Sequence, residues 1–322
     1  MQPLRFSPLL KRIRWGGRRL GTVLGKPIGD GNDFAESWEI SDHGHDQSVV
    51  TQGEFAGWTL QRLVRERPRE LLGRHADRHQ FPLLIKYLDA HDRLSLQVHP
   101  NDAQARCYRA DENGKTEAWV ILEAASATRI FAGLRRGVTR EDVRHALESG
   151  DIESCLHSFP AAAGQCVFVP AGTIHAIDAG ILLAEVQQSS DITFRLHDWG
   201  RLGADGRPRP LHITEALDST DFTRGPISPV VPQPVPMAAH IAEKLVECPY
   251  FVIRRHSTSA TFDLAPDDRF RIVMLLSGQS ELATNSVVEQ LSTGDTVLVP
   301  ATCPATRITP RGKVQLLEIY LP

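Results

Sequence analysis

The sequence predicts a mainly β protein built from two barrel-like modules, and three observations carry that expectation. Outside two helical stretches, apolar residues fall in runs of four to eight bounded by Gly, Pro, Asn and Asp, the pattern of short strands in a sandwich or barrel. A G-x5-P-x-G-x2-H pattern from Gly164 to His175 returns from Gly294 to Ala305, with Thr302 in place of the second glycine and Ala305 in place of the histidine. Between the copies, Pro226, Pro229, Pro232, Pro234 and Pro236 form an extended segment that continues neither a helix nor a central strand.

Residues 20–52 read as strands and turns, with Glu36 to Ser41 alternating in character. A helical insertion follows at about 53–80: Leu60, Leu63 and Val64 keep helical spacing, and Leu71 and Leu72 follow Pro68, so two short helices meet at the proline. A second insertion is expected at about 139–157, where Thr139 and Asp142 form a capping pair ahead of the Val143, Ala146 and Leu147 stripe. Both insertions read as decoration on a β framework. The expected division is a catalytic module over 1–225, a proline-rich linker over 226–240 and a degenerate second module over 241–322 that has lost its metal ligand.

With 322 residues, 41% hydrophobic and 23% charged, and a net charge of -3, the composition is that of a folded globular chain too long for one simple core. Nothing argues for nucleic acid: the nearest basic patch, Lys11, Arg12, Arg14, Arg18 and Arg19, reads as a solvated face. Nothing argues for a membrane either, because the longest apolar runs, Phe81 to Ile85 and Ile181 to Ala184, fall far short of the roughly 20 residues a spanning helix needs. Five scattered cysteines without a C-x-x-C pair fit free thiols in a reducing compartment, so the cytoplasm is expected. Only six of the 36 basic residues are lysines, which draws attention to where those six stand.

The chemistry concentrates in Leu94 to Asp102. Gln97 and His99 are two apart, so on a strand both face one way while Leu96 and Val98 face the other. Glu117 opens a second strand-like run with Trp119 and Ile121 on its face, and His175 ends the Gly-Pro-Gly pattern. Neutral imidazole, carboxylate and amide oxygen suit a divalent metal such as zinc with a position left open. Each piece alone is ordinary; their combination is the ligand layout of a cupin barrel. The predicted fold is therefore two cupin (jelly-roll) barrels with small helical insertions.

The chain also resembles the type I mannose-6-phosphate isomerases in their shorter bacterial form. The resemblance runs through Glu36-Ser37-Trp38, Phe81 to Lys86, Leu94 to Asp102, Gly114 to Glu117, Gly172 to His175 and Ser190 to Arg195, in matching order and spacing. It implies that Gln97, His99, Glu117 and His175 hold one zinc ion per chain and that Arg195 is the catalytic arginine. Without the resemblance, Arg195 reads as a structural ion pair with Asp191 or Asp198. Lys86, set in an apolar run, and Lys115, two residues before Glu117, are the next candidates, for binding a 6-phosphate or for acid-assisted ring opening. Lysines in such a pocket are expected to titrate below their solution value. Ser95, on the Gln97 face, resembles a phosphate contact. Gly114 stands where longer members have a histidine, which leaves the proton carrier open, with His197 and Asp198 as candidates.

The expected activity is zinc-dependent interconversion of mannose 6-phosphate and fructose 6-phosphate through an enediolate. The expected partner is a hexose 6-phosphate, and the expected state a monomer or weak homodimer. A non-catalytic sugar-phosphate-binding regulator is the alternative. An iron-dependent dioxygenase fits less well, since Gln97 and the two lysines have no place in oxygen chemistry.

Overall fold

The computed structural model describes residues 1–202 and 206–322. It is mainly β, with four large sheets in two pairs. In the first pair, a six-stranded antiparallel sheet runs in the spatial order Leu9–Gly17, Phe34–Ile40, Leu83–Ala90, Ile181–Gln188, Glu117–Ala124, Cys166–Val169. Its partner sheet has five strands in the order Phe194–His197, Leu96–Val98, His175–Ile177, Arg129–Leu134, Leu156–Pro160. Trp119, Ile121 and Leu183 of the first sheet bury against Leu94, Ile130 and Ile177 beside or on the second, so the two pack face to face as a jelly roll.

Residues 233–320 repeat the arrangement with a six-stranded and a four-stranded sheet. The sequence repeat occupies equivalent places: Cys166–Val169 and Thr296–Val299 are each the outermost strand of a six-stranded sheet. Even the entry turns match. Gly164 N–H donates to Ile121 O and receives the chain back through Ile121 N–H to Gln165 O, while Gly294 N–H donates to Leu275 O and Leu275 N–H to Asp295 O. The copies part at the next turn. Gly172 takes φ +85°, a conformation that disfavours side chains, whereas Thr302 at the equivalent place has no positive φ. In the proline-rich segment, Gln233–Pro236 is an edge strand paired with Ile241–Glu247, a position where missing N–H groups are tolerated.

Both expected helical insertions form, but the role of the first changes, and the short helices Arg19–Thr22 and Ile213–Ser219 were not expected. Leu60–Glu66, capped by Thr59, and Pro68–Leu72 meet at Pro68, with proline at the first turn. Leu60, Leu63, Leu71 and Leu72 are fully buried in one core with Phe251, Phe270 and Ile272 of the second sheet pair, and Phe81 meets Phe270 at 4.9 Å between ring centroids. This insertion is a wedge between the two sheet pairs rather than decoration. Gly73 shows how tight the joint is: a Cβ there would stand 2.3 Å from Asp268 O. The second insertion is Arg140–Ser149, with the Thr139–Asp142 capping box present and Gly150 closing it in the left-handed region. Leu156, expected to be helical, instead opens the strand Leu156–Pro160. A short helix at Asp102–Tyr108 was not expected, although Asn101 and Gln104 form the capping box that marks it. No helix among the described residues is long and apolar enough to cross a membrane.

Candidate active site

Cross-strand register assembles the site. On the smaller sheet, Gln97 stands opposite His175 on one side and Arg195 on the other, so three residues distant in sequence share a face. On the larger sheet, Lys86 stands opposite Trp38 and Glu185, and Glu185 opposite Trp119. Glu117 begins the strand next to Glu185. The two rows face each other across the interior of the first jelly roll.

His99, Glu117 and His175, each about 1% exposed, converge so that one ligand atom from each lies within 4.8 Å of the others. His175 Nε2 is 3.3 Å from Glu117 Oε1, and His99 Nε2 is 3.6 Å from Glu117 Oε2. The far nitrogen of each ring is held by a backbone carbonyl: His99 Nδ1 by Ile192 O and His175 Nδ1 by Thr173 O, both at 2.9 Å. Those contacts fix Nδ1 as the protonated nitrogen and turn both Nε2 lone pairs inward. Burial keeps the rings neutral, pushing His175 down to about 3 and His99 well below its ordinary value. Burial and the nearby Glu185 push the Glu117 carboxyl up, against the opposing pull of Lys115 and Lys86. His99 Nε2 and Glu117 Oε2 are buried without a hydrogen-bond partner. Two neutral imidazoles and a buried carboxylate, with those two atoms left without hydrogen-bond partners, are a donor set that a divalent metal could satisfy. Gln97 lies beside the cluster: its carboxamide is 3.2 Å from His175 Nε2, and rotation about its last bond would present oxygen in place of nitrogen.

The structure also gathers the remaining sequence-predicted residues. Lys115 Nζ is 3.5 Å from Glu117 Oε2. Lys86 is buried between Glu185 Oε1 at 3.4 Å and Glu36 Oε2 at 3.5 Å, beneath the Trp38 ring. Burial alone would lower its pKa, but Glu185 and Glu36 outweigh that, so Lys86 is raised and not lowered as expected. Ser95 Oγ lies 3.4 Å from the Gln97 amide oxygen. Arg195 forms no ion pair with Asp191 or Asp198 among the described residues. Its Nη1 donates to Pro210 O and its Nε is buried without an acceptor. Asp198 is bound instead to Arg201 and Arg209, and neither it nor His197 borders the cavity.

That cavity, of about 260 Å³, is bordered by Ser95, Gln97, Lys86, Lys115, Glu117 and Arg195. Glu36, Glu185 and Arg209, to which sequence reasoning assigned no role, border it too, as does Asp191, expected only as an ion-pair partner of Arg195. The signal that singled out Lys86, a charge inside an apolar strand, is equally present at Glu185 after Ile181 to Ala184. Four cations therefore face four carboxylates around the cavity, and a bound divalent metal would tip the balance toward the charge of a phosphate dianion.

The family described as phosphomannose isomerase type I, catalytic domain, matches residues 4–132. Mannose-6-phosphate isomerase ManA of Bacillus subtilis is 34% identical over 304 residues, covering 93% of each chain. The mannose-6-phosphate isomerase of Streptococcus mutans is 34% identical over 301 residues, covering 94% of this chain and 93% of that one. The crystal structure of the mannose 6-phosphate isomerase from Bacillus subtilis superposes with a TM-score of 0.92 at 29% identity, over 100% of both chains. With a third of its residues shared along nearly its whole length and the same architecture throughout, this chain belongs to the type I phosphomannose isomerase family.

Proposed function

We propose that this protein interconverts mannose 6-phosphate and fructose 6-phosphate with one zinc ion bound per chain. The observation that carries the reading is the buried His99–Glu117–His175 cluster, with Gln97 beside it, opening onto a cavity where four cations face four carboxylates. When bound there, zinc supplies a redox-inert Lewis acid for the substrate oxygens.

The chain's own residues account for the rest. Aldose–ketose exchange moves one proton between C2 and C1 and passes through an enediolate whose charge needs a fixed cation. Arg195, unpaired with any acid among the described residues, is the guanidinium for that charge. Lys86, held protonated by two carboxylates, serves as a fixed cation rather than a proton donor. Lys115 and Ser95 stand ready for the phosphate or the ring oxygen. The mobile proton needs a base that takes it from one carbon, returns it to the other and reaches the cavity. Asp191 borders it and makes no side-chain hydrogen bond or ion pair among the described residues, so we assign it that task. The five cysteines, all free, support a cytoplasmic setting.

The test is a coupled isomerase assay on metal-free protein titrated with zinc. Turnover that rises to a plateau at one zinc per chain supports the reading. Stoichiometric zinc without turnover of either sugar phosphate leaves only a binding protein.

A further inference from the structure

The second module has no residue in the metal cluster, yet its Tyr250 is tied through the carboxylate of Asp102 to the segments that carry the cluster. Asp102 follows His99 by three residues and opens the helix Asp102–Tyr108. Its Oδ1 accepts the Gly114 N–H at 2.8 Å and the Gln188 side-chain amide at 2.9 Å, and its Oδ2 accepts the Tyr250 hydroxyl at 2.9 Å. Three donors on one carboxylate make a charge-assisted knot.

Each of those donors leads somewhere specific. Gly114 precedes Lys115, whose N–H donates to Pro100 O at 3.0 Å. The approach is close enough that a Cβ on Gly114 would stand 2.5 Å from the Asp102 nitrogen. Gln188 Oε1 accepts the Thr116 N–H at 2.9 Å, one residue before Glu117. The Thr116 hydroxyl in turn accepts the Ala171 N–H, and Gly172 N–H donates to His99 O, tying in the turn that delivers His175. Tyr250 arrives from the other direction, on the turn between the strands Ile241–Glu247 and Val252–Thr258. Burial and then Asp102 push its phenol up to about 12, so it remains a donor across the working range.

We infer that Tyr250 and Asp102 are positioning residues that let the ligand-free second module hold the segments carrying His99, Lys115 and Glu117 in register. The inference rests on the zinc reading above. It gives the second module a task at the site besides bulk, and it differs from packing. The modules are already held together by the Leu71, Leu72 and Phe270 core and by the backbone bond from Ala301 N–H to Leu71 O.

The test measures zinc affinity by chelator competition, alongside the melting temperature of metal-free protein. Tyr250→Phe removes one oxygen and keeps the ring. It is expected to weaken zinc about tenfold, the scale of lost outer hydrogen bonds to metal sites, while melting within about 2 °C of the parent. Asp102→Ala should weaken zinc at least as much, and the double variant should bind no more weakly than Asp102→Ala alone. Tyr250→Phe with zinc affinity within twofold of the parent, or effects that multiply in the double variant, would overturn the joint alone. A parent protein that takes up no zinc would overturn the functional reading and the joint with it.

Discussion

Arg271 occupies in the second module the place that Glu117 occupies in the first. Glu117 pairs with Val169 on the outermost strand, and Arg271 pairs with Val299, the matching residue of the repeat. The second module thus lacks the carboxylate as well as the histidine, and the cation there is neutralised by Glu318 at 2.7 Å and Asp267 at 3.0 Å. Restoring an acid should therefore rebuild nothing. Arg271→Glu is expected to place three acids together, cost about 3–5 kcal/mol of stability, and leave metal content unchanged by elemental analysis. Ala305→Ser should likewise keep one zinc per chain, whereas His175→Ala should weaken zinc by more than about 100-fold, beyond what outer-sphere losses cause. Zinc lost from Ala305→Ser would place the metal elsewhere.

Much of this site is legible in the sequence because period-two spacing is local. Gln97 and His99 declare a shared face within three residues, and the Gly172 turn announces His175. What surrounds Lys86 is not local. Glu36 and Glu185 reach it only through pairing of strands far apart in the chain, and no spacing rule encodes that register. The stripe of Leu60, Leu63, Leu71 and Leu72 is likewise readable as helix, but a stripe says only that something covers it. That the cover is Phe270 and Ile272 of the second module depends on tertiary structure alone.

Lys86 is expected to be structural and functional at once. Lys86→Met keeps the volume but leaves Glu36 and Glu185 buried without their cation, a loss of about 3–5 kcal/mol visible as a lower denaturant midpoint. The sign with pH follows from its raised pKa. A lysine raised on folding contributes fully below its unfolded value of 10.5, and the contribution fades only above that. The destabilisation should therefore stay constant from about pH 6 to 9. A deficit that vanishes within that range would mean the lysine is not held charged.

Asp191 separates proton transfer from binding. Asp191→Asn should lower kcat by about 10²–10⁴-fold, the usual worth of a general acid or base, with KM within about threefold and zinc still stoichiometric. An unchanged kcat would move the proton to Glu185 or Glu36, the other acids bordering the cavity outside the metal cluster.

His43 and Glu112 give the fold a pH dependence that lies outside the metal cluster. His43 Nε2 lies 3.3 Å from Glu112 Oε1, pinning the turn that runs into Gly114. The Glu112 hydrogen bond raises His43 above its ordinary 6.5 despite burial, with Asp191 and Asp46 adding to the effect. Burial works against Glu112, but the His43 and Ser190 contacts hold it below its ordinary 4.5. A raised histidine contributes fully below its unfolded value and loses that contribution as pH rises through the folded one. A lowered glutamate contributes above its unfolded value and loses that as pH falls. The pair is therefore strongest between the two ordinary values and weakens on either side. His43→Gln should cost most near pH 5.5–6, roughly 2 °C in melting temperature, and progressively less as pH rises through the raised folded value of the parent histidine. A loss that does not shrink as pH rises would show that His43 supports the turn by packing and not by charge.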